Sequence, residues 1–258
     1  MQSNLNNKAL FLFIVLLAVL NGILVMEHWQ NSKPVGTAEQ AKIMEDAFTS
    51  RSGAVPSNTE NTASAPPTST PSIPAPVAKF VPFTVQAPIG YWSEEPWADY
   101  AEEACVYMAY KWGTRSDMPA KYDVAENLKA IGQWEIDRFG DSALTDLPQT
   151  LQMLTEALGY ARATLSTDIS EVSIKAVLDG GAIVILPVNG QLLDNPYYGD
   201  PAPKHHMLVV YDYTEKGFFT NDPGTRRGEA FLYETEKMLE SIQDLNGEKR
   251  MLVVTRTY

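Results

Sequence analysis

The chain has 258 residues and a formal net charge of −12, from 32 acidic and 20 basic side chains. With no Lys/Arg-rich run, that balance excludes a phosphate-backbone binder, which needs a basic face. The single cysteine, Cys105, excludes an intramolecular disulfide framework, and the length allows one or two domains.

The N-terminus opens on an apolar run at residues 9–26, "ALFLFIVLLAVLNGILVM", interrupted only by Asn21 and Gly22. At about 1.5 Å per residue, roughly 18 residues just span a hydrocarbon core of about 30 Å. A cleaved signal peptide is the competing reading, but its apolar region is usually about 7–15 residues and ends in a small-x-small site, which is missing here. Residues 1–30 are therefore expected to be a transmembrane signal anchor. Lys8 precedes the run and Glu27 and His28 follow it, which favours the N-terminus inside and the remainder outside the cytoplasm. The expected localisation is a single-pass membrane protein with an extracytoplasmic C-terminal domain. Residues 31–78 hold "GAVPSNTENTASAPPTSTPSIPAPV", which has too few large apolar residues to offset chain entropy. They read as a disordered Pro/Ser/Thr-rich linker, biased by its prolines toward an extended spacer.

From Lys79 the density of aromatic and aliphatic residues rises, and residues 79–258 read as one domain of ordinary size. Residues 99–112 form a helical pattern, with Ala101, Ala104, Cys105, Met108, Ala109 and Trp112 on one stripe. Asp99 and Glu102 have capping-box spacing, which predicts Asp99 as N-cap and puts Ala101 in the first turn. Further helices are predicted over 120–140, 147–160 and 173–181, the last stopped by glycine. "GAIVILPV" then reads as a buried strand. "HHMLVVYDY" and "GFFTNDP" form two strands around the turn "TEKG", "EAFLYETEKMLESI" turns from strand to helix, and "KRMLVVTRTY" is a last strand. Helices first and strands after predict an α+β fold.

His205 and His206 open the strand "HHMLVVYDY", and alternation sends them to opposite faces. An adjacent antiparallel strand can bring Asp222 of "TNDPG" opposite one imidazole, where a carboxylate fixes tautomer and orientation. The same "NDPG" also reads simply as a tight turn. No cluster at ligand spacing accompanies the histidines, so neither metal nor cofactor is expected. Tyr197, Tyr198, Trp92 and Trp97 are either cleft aromatics or ordinary packing. Arg226 and Arg227 either hold a carboxylate or decorate a solvated turn.

The ordered series "FTVQAP", "EEACVYMAYKW", "GGAIVILPVNG", "HHMLVVYDY" and "FFTNDPGTRRG" resembles the C-39-like cysteine peptidase family over roughly residues 80–258. The resemblance implies a papain-like fold, N-terminal helices packed on an antiparallel sheet, and a peptide or protein as substrate or ligand. It implies Gln86 as oxyanion donor, His206 as base and Asp222 as its orienter. The family's nucleophile opens the helix, as in Cys-Glu-Glu-Ala. Here "AEEAC" puts Ala101 in that slot, and Cys105 follows one turn later. The helix-dipole effect fades beyond the first turn, and a free cysteine on an apolar stripe is a common core residue. Three readings follow: a peptidase with its nucleophile displaced to Cys105, an inactive peptide- or surface-polymer-binding module, and a purely structural surface head.

Overall fold

The computed structural model describes residues 80–256, so the predicted anchor at 1–30, the linker at 31–78 and Lys79 lie outside the described residues. Among the described residues no helix is long and apolar enough to cross a membrane. A 3-10 turn at Trp97–Asp99 leads into α1 (Ala101–Gly113), followed by α2 (Lys121–Phe139) and α3 (Leu147–Gln152). α3 continues as a π-helical turn over Met153–Ala157. Then come β1 (Ala163–Ser166), α4 (Glu171–Asp179), β2 (Ile183–Val188) and the short α5 (Gly190–Leu193). The chain closes with β3 (His206–Tyr213), β4 (Gly217–Asn221), β5 (Phe231–Glu234), α6 (Thr235–Ser241) and β6 (Met251–Val254). The architecture is α+β: helices around one six-stranded sheet of order β1-β6-β2-β3-β4-β5, antiparallel throughout.

Local chemistry accounts for most boundaries. Asp146 and Gln149 form a reciprocal capping box at α3, and Ser170 and Ser173 form another at α4. α2 ends on Gly140 in the left-handed conformation, which costs glycine no Cβ clash. Every residue of β2 is buried, as expected for a central strand, and each large aliphatic side chain there contributes about 1.5–3 kcal/mol. Even-numbered residues Val184, Leu186, Val188, Leu208 and Val210 join Ile174 and Leu178 of α4 in one core cluster. α1 packs against β3 and β2.

One boundary differs from expectation. Asp99 ends the 3-10 turn, and Tyr100, not Asp99, is the N-cap of α1, with no side-chain capping bond. The cause is packing: Trp97 and Tyr100 are both buried and meet edge to face, with ring centroids 5.7 Å apart. Burial of two aromatic rings outweighs one capping bond, typically worth about 1 kcal/mol. Ala101 thereby becomes the first residue of α1, and Cys105 falls in its second turn.

Candidate active site

The register of β3 and β4 builds the centre of the site. Val209 pairs with Asn221, so one step further Asp222 falls opposite Leu208 and on the face it shares with His206. His206 Nε2 lies 2.8 Å from Asp222 Oδ1. Gly224 N also donates to that oxygen at 2.9 Å, folding the "NDPG" turn over the imidazole. A Cβ at Gly224 would sit 2.8 Å from His206 Cε1, so glycine is what lets the turn close on the ring. The turn and the orienting carboxylate are thus one feature.

Asp222 is fully buried and accepts from more donors than His206 alone. Tyr198 Oη donates to Oδ2 at 2.6 Å, Tyr233 Oη at 2.5 Å and Asn195 Nδ2 at 3.3 Å. Burial pushes the Asp222 carboxyl up, but His206, Tyr198 and Tyr233 outweigh it and hold it below the usual carboxylate range. Burial and the Asp222 charge raise both phenols well above their ordinary value, so they stay protonated donors. With Nε2 held by Asp222, Nδ1 is the ring nitrogen that the carboxylate does not engage. His206 lines a cleft of about 320 Å³ together with Gln86, Ala101, Glu102, Tyr198 and Gly224.

Cys105 is not among the residues that line this cleft. Its side chain is fully buried, and the thiol is pushed well above its ordinary value by burial, then by Glu102, Asp222 and Glu103. Nothing nearby favours a thiolate. Ala101 does line the cleft, as the first residue of a helix whose first-turn N–H groups have no intrahelical acceptor.

Gln86 also departs from the donor role that the resemblance implies. Its main-chain N–H donates to Pro223 O at 3.0 Å, tying it to the "NDPG" turn. Its amide nitrogen donates to Trp97 O at 3.0 Å and Ala98 O at 2.7 Å. Both acceptors are carbonyls, so the nitrogen must face them, and its two protons already have main-chain partners. An oxyanion would find no free Gln86 proton.

The histidines part ways as alternation predicts. His205 Nε2 stands 2.9 Å from Glu102 Oε1, an ion-pair contact off the hydrogen-bond line. Burial lowers His205, but the Glu102 carboxylate outweighs it and raises the value. Of the aromatic candidates, Trp92 and Tyr198 line the cleft, and Trp97 is buried and does not line it. Tyr197 packs on Phe231 at 6.1 Å under the Arg227 guanidinium at 4.6 Å, and Arg226 lies over Trp92 at 6.0 Å. Sequence reasoning missed Tyr233 and Asn195 as partners of Asp222. It also missed a buried carboxyl pair, Glu103 of α1 and Glu135 of α2. Thr145 Oγ1 donates to Glu135 Oε1 at 2.5 Å, whereas both Glu103 oxygens and Glu135 Oε2 lack a donor. Burial and the neighbouring carboxylates raise Glu103 well above the usual range, and burial raises Glu135 to about 7. Among the described residues, no group of three or more His, Cys, Asp or Glu could hold a metal ion.

No family model matches the chain, and no curated protein matches it. Among solved structures, a "putative C39-like peptidase from Bacillus anthracis" is similar at a TM-score of 0.46 and 15% identity. The match covers 69% of this chain and 96% of that one. What the cleft can do follows from its own side chains.

Proposed function

We propose that residues 79–258 form a peptide-binding module of papain-like, C-39-like architecture that keeps a peptidase cleft without its nucleophile. In this reading residues 9–26 tether it to the membrane, and the domain faces outside the cytoplasm. One observation carries the proposal: Ala101, not Cys105, shares the cleft with His206, the imidazole that buried Asp222 orients. An imidazole oriented by a buried carboxylate is the base half of a thiol peptidase. An alanine methyl offers it no proton to take and no atom to attack a carbonyl. The committed Gln86 amide supports the same reading, because an acyl-transfer site needs donors where the oxyanion develops. What remains is a groove with ordered walls, suited to holding a chain rather than cutting it.

The test uses the full-length chain. Cys105 stays unlabelled by iodoacetamide under native conditions, a fluorogenic peptide library shows no turnover, and peptides that bind perturb the fluorescence of Trp92. Turnover abolished by Cys105→Ala, or rapid native labelling of Cys105, would overturn the proposal in favour of a displaced-thiol peptidase.

A further inference from the structure

The sequence holds three Asn-Gly pairs, of which Asn189–Gly190 and Asn246–Gly247 lie among the described residues. The main-chain nitrogen that follows an asparagine can add to the asparagine's own side-chain carbonyl, and glycine, with no Cβ, leaves that approach open. The fold decides whether the nitrogen gets there, and it places the two pairs oppositely. Their carbonyls are equally polarised: Glu248 N donates to Asn246 Oδ1 at 3.0 Å, and Gln191 N donates to Asn189 Oδ1 at 3.0 Å. A donor there stabilises the negative charge that develops on the oxygen under attack.

The difference lies around the attacking nitrogen. Asn189 follows β2, every residue of which is buried, and it is the N-cap of α5. Its own N–H donates to Ser241 O at 2.7 Å, beside the bridge between Val188 and Ile242. Gly190 is buried, and a Cβ there would sit 2.7 Å from Pro203 O. Turning the 189–190 peptide therefore displaces α5 and opens the core. Asn246–Gly247 instead forms the tip of the turn before β6, where residues 245–249 are all exposed. Asp244 N donates to Glu248 O at 2.7 Å, and Gly247 N donates to Asp244 O at 2.8 Å. Gly247 has a φ of +79°, and nothing lies within 4 Å of where its Cβ would be. Freeing its nitrogen breaks one main-chain hydrogen bond at a solvated tip. Such tips open at a small fraction of the free energy that a core element needs.

We propose that Asn246 is a deamidation site. The Gly247 nitrogen bonds to Asn246 Cγ and the Cγ–Nδ2 bond breaks. Ammonia leaves with the proton that Gly247 loses, passed on by water. The cyclic imide then takes up water at either carbonyl, giving aspartate or, with one extra main-chain methylene, isoaspartate. No electrons are exchanged, and water is the co-reactant. Either product adds a carboxylate to a turn that already holds Asp244 and Glu248, which share Arg250 as their cation. The site is independent of the peptide-binding reading.

The full-length chain is held in mildly alkaline buffer for several weeks and sampled by peptide mass spectrometry. The mass gain of an amide-to-acid exchange should appear at Asn246 at least about tenfold faster than at Asn189. In urea, where the fold no longer separates the two pairs, their rates should converge to within about threefold. Gly247→Ala, its fold checked by circular dichroism, should slow the reaction of the folded chain at least about tenfold, because a Cβ obstructs the nitrogen. A Cβ at positive φ also loosens the turn, and loosening alone would speed the reaction. A folded chain that gains mass no faster at Asn246 than at Asn189 overturns the proposal, as does a Gly247→Ala variant that reacts as fast as its parent. Rates that stay as far apart in urea overturn it too, because the fold is then not the cause.

Discussion

Replacing Ala101 with cysteine tests where the reacting position lies. In the native chain the thiol at Cys105 is fully buried, so a reagent reaches it only after the core around α1 opens. Domains are stable by about 5–15 kcal/mol, which at the low end holds such opening near one part in several thousand. A thiol at Ala101 would instead line the cleft beside His206, at the first residue of the helix. Native labelling by iodoacetamide should therefore rise at least about 1,000-fold in Ala101→Cys over the parent. The helix end and the imidazole lower the new thiol below the free value of about 8.5. Asp99 and Glu102 oppose them, Glu102 with His205 beside it. The alkylation rate should then keep a low-pH limb that disappears in Ala101→Cys/His206→Ala. Because Gln86 has no free proton, a p-nitrophenyl ester should give a stoichiometric burst and slow turnover. One missing oxyanion donor costs about 10²–10³ in rate. If Ala101→Cys labels no faster than the parent while its melting curve is unchanged, Ala101 does not face His206 and the reconstruction fails.

Two further outcomes test the electrostatics. Asp222→Ala strands His206, Tyr198, Tyr233 and Asn195 without their shared acceptor and should cost about 3–5 kcal/mol in urea unfolding. Because the folded Asp222 value is depressed, its stabilisation is present above the unfolded value of about 3.9 and is lost as pH falls through the folded value. Glu135 has the opposite sign. Its folded value of about 7 lies above the ordinary 4.5, so the folded state holds the extra proton and stability falls as pH rises from about 4.5 to 7. Glu135→Gln should flatten that slope and raise the urea midpoint at pH 8. The ceiling is roughly 3 kcal/mol. An unchanged pH profile in this variant would mean that the pair is not protonated.

Legibility followed the range of the forces involved. β2, β3, β4 and β6 were readable because each is dense in apolar residues with a turn signal at its end. β1 was not: "ATLS" is a four-residue, largely exposed edge strand with no apolar pattern to mark it. The start of α1 was misread by one residue because capping-box spacing is a local signal, whereas the Trp97–Tyr100 packing that overrides it is tertiary. His206 and Asp222 lie 16 residues apart on adjoining strands, so pattern alone could bring them together. Asn195 reaches Asp222 from 27 residues away through an irregular loop, and nothing in its local sequence indicates that partner. The direction of the Gln86 amide was equally illegible, since it depends on carbonyls exposed by a 3-10 turn that the sequence did not suggest.

The Asp222 network and position 101 differ in what each does for the fold. Asp222 holds β3 through His206, β5 through Tyr233, and the cleft wall through Tyr198 and Asn195. Removing it leaves several buried donors unpaired, each costing about 1–3 kcal/mol. The His206–Asp222 pair thus contributes to stability, whether or not any chemistry occurs. Position 101 carries no such burden. Its side chain is a methyl at the edge of the cleft, and no hydrogen bond depends on what stands there. A thiol can be absent from that position with the walls, the oriented imidazole and the groove intact. The network is therefore compatible with a cleft that keeps an oriented imidazole and has no thiol at position 101. The inverse pattern, a cysteine at position 101 over a broken Asp222 network, would have to absorb several kcal/mol from a margin of about 5–15.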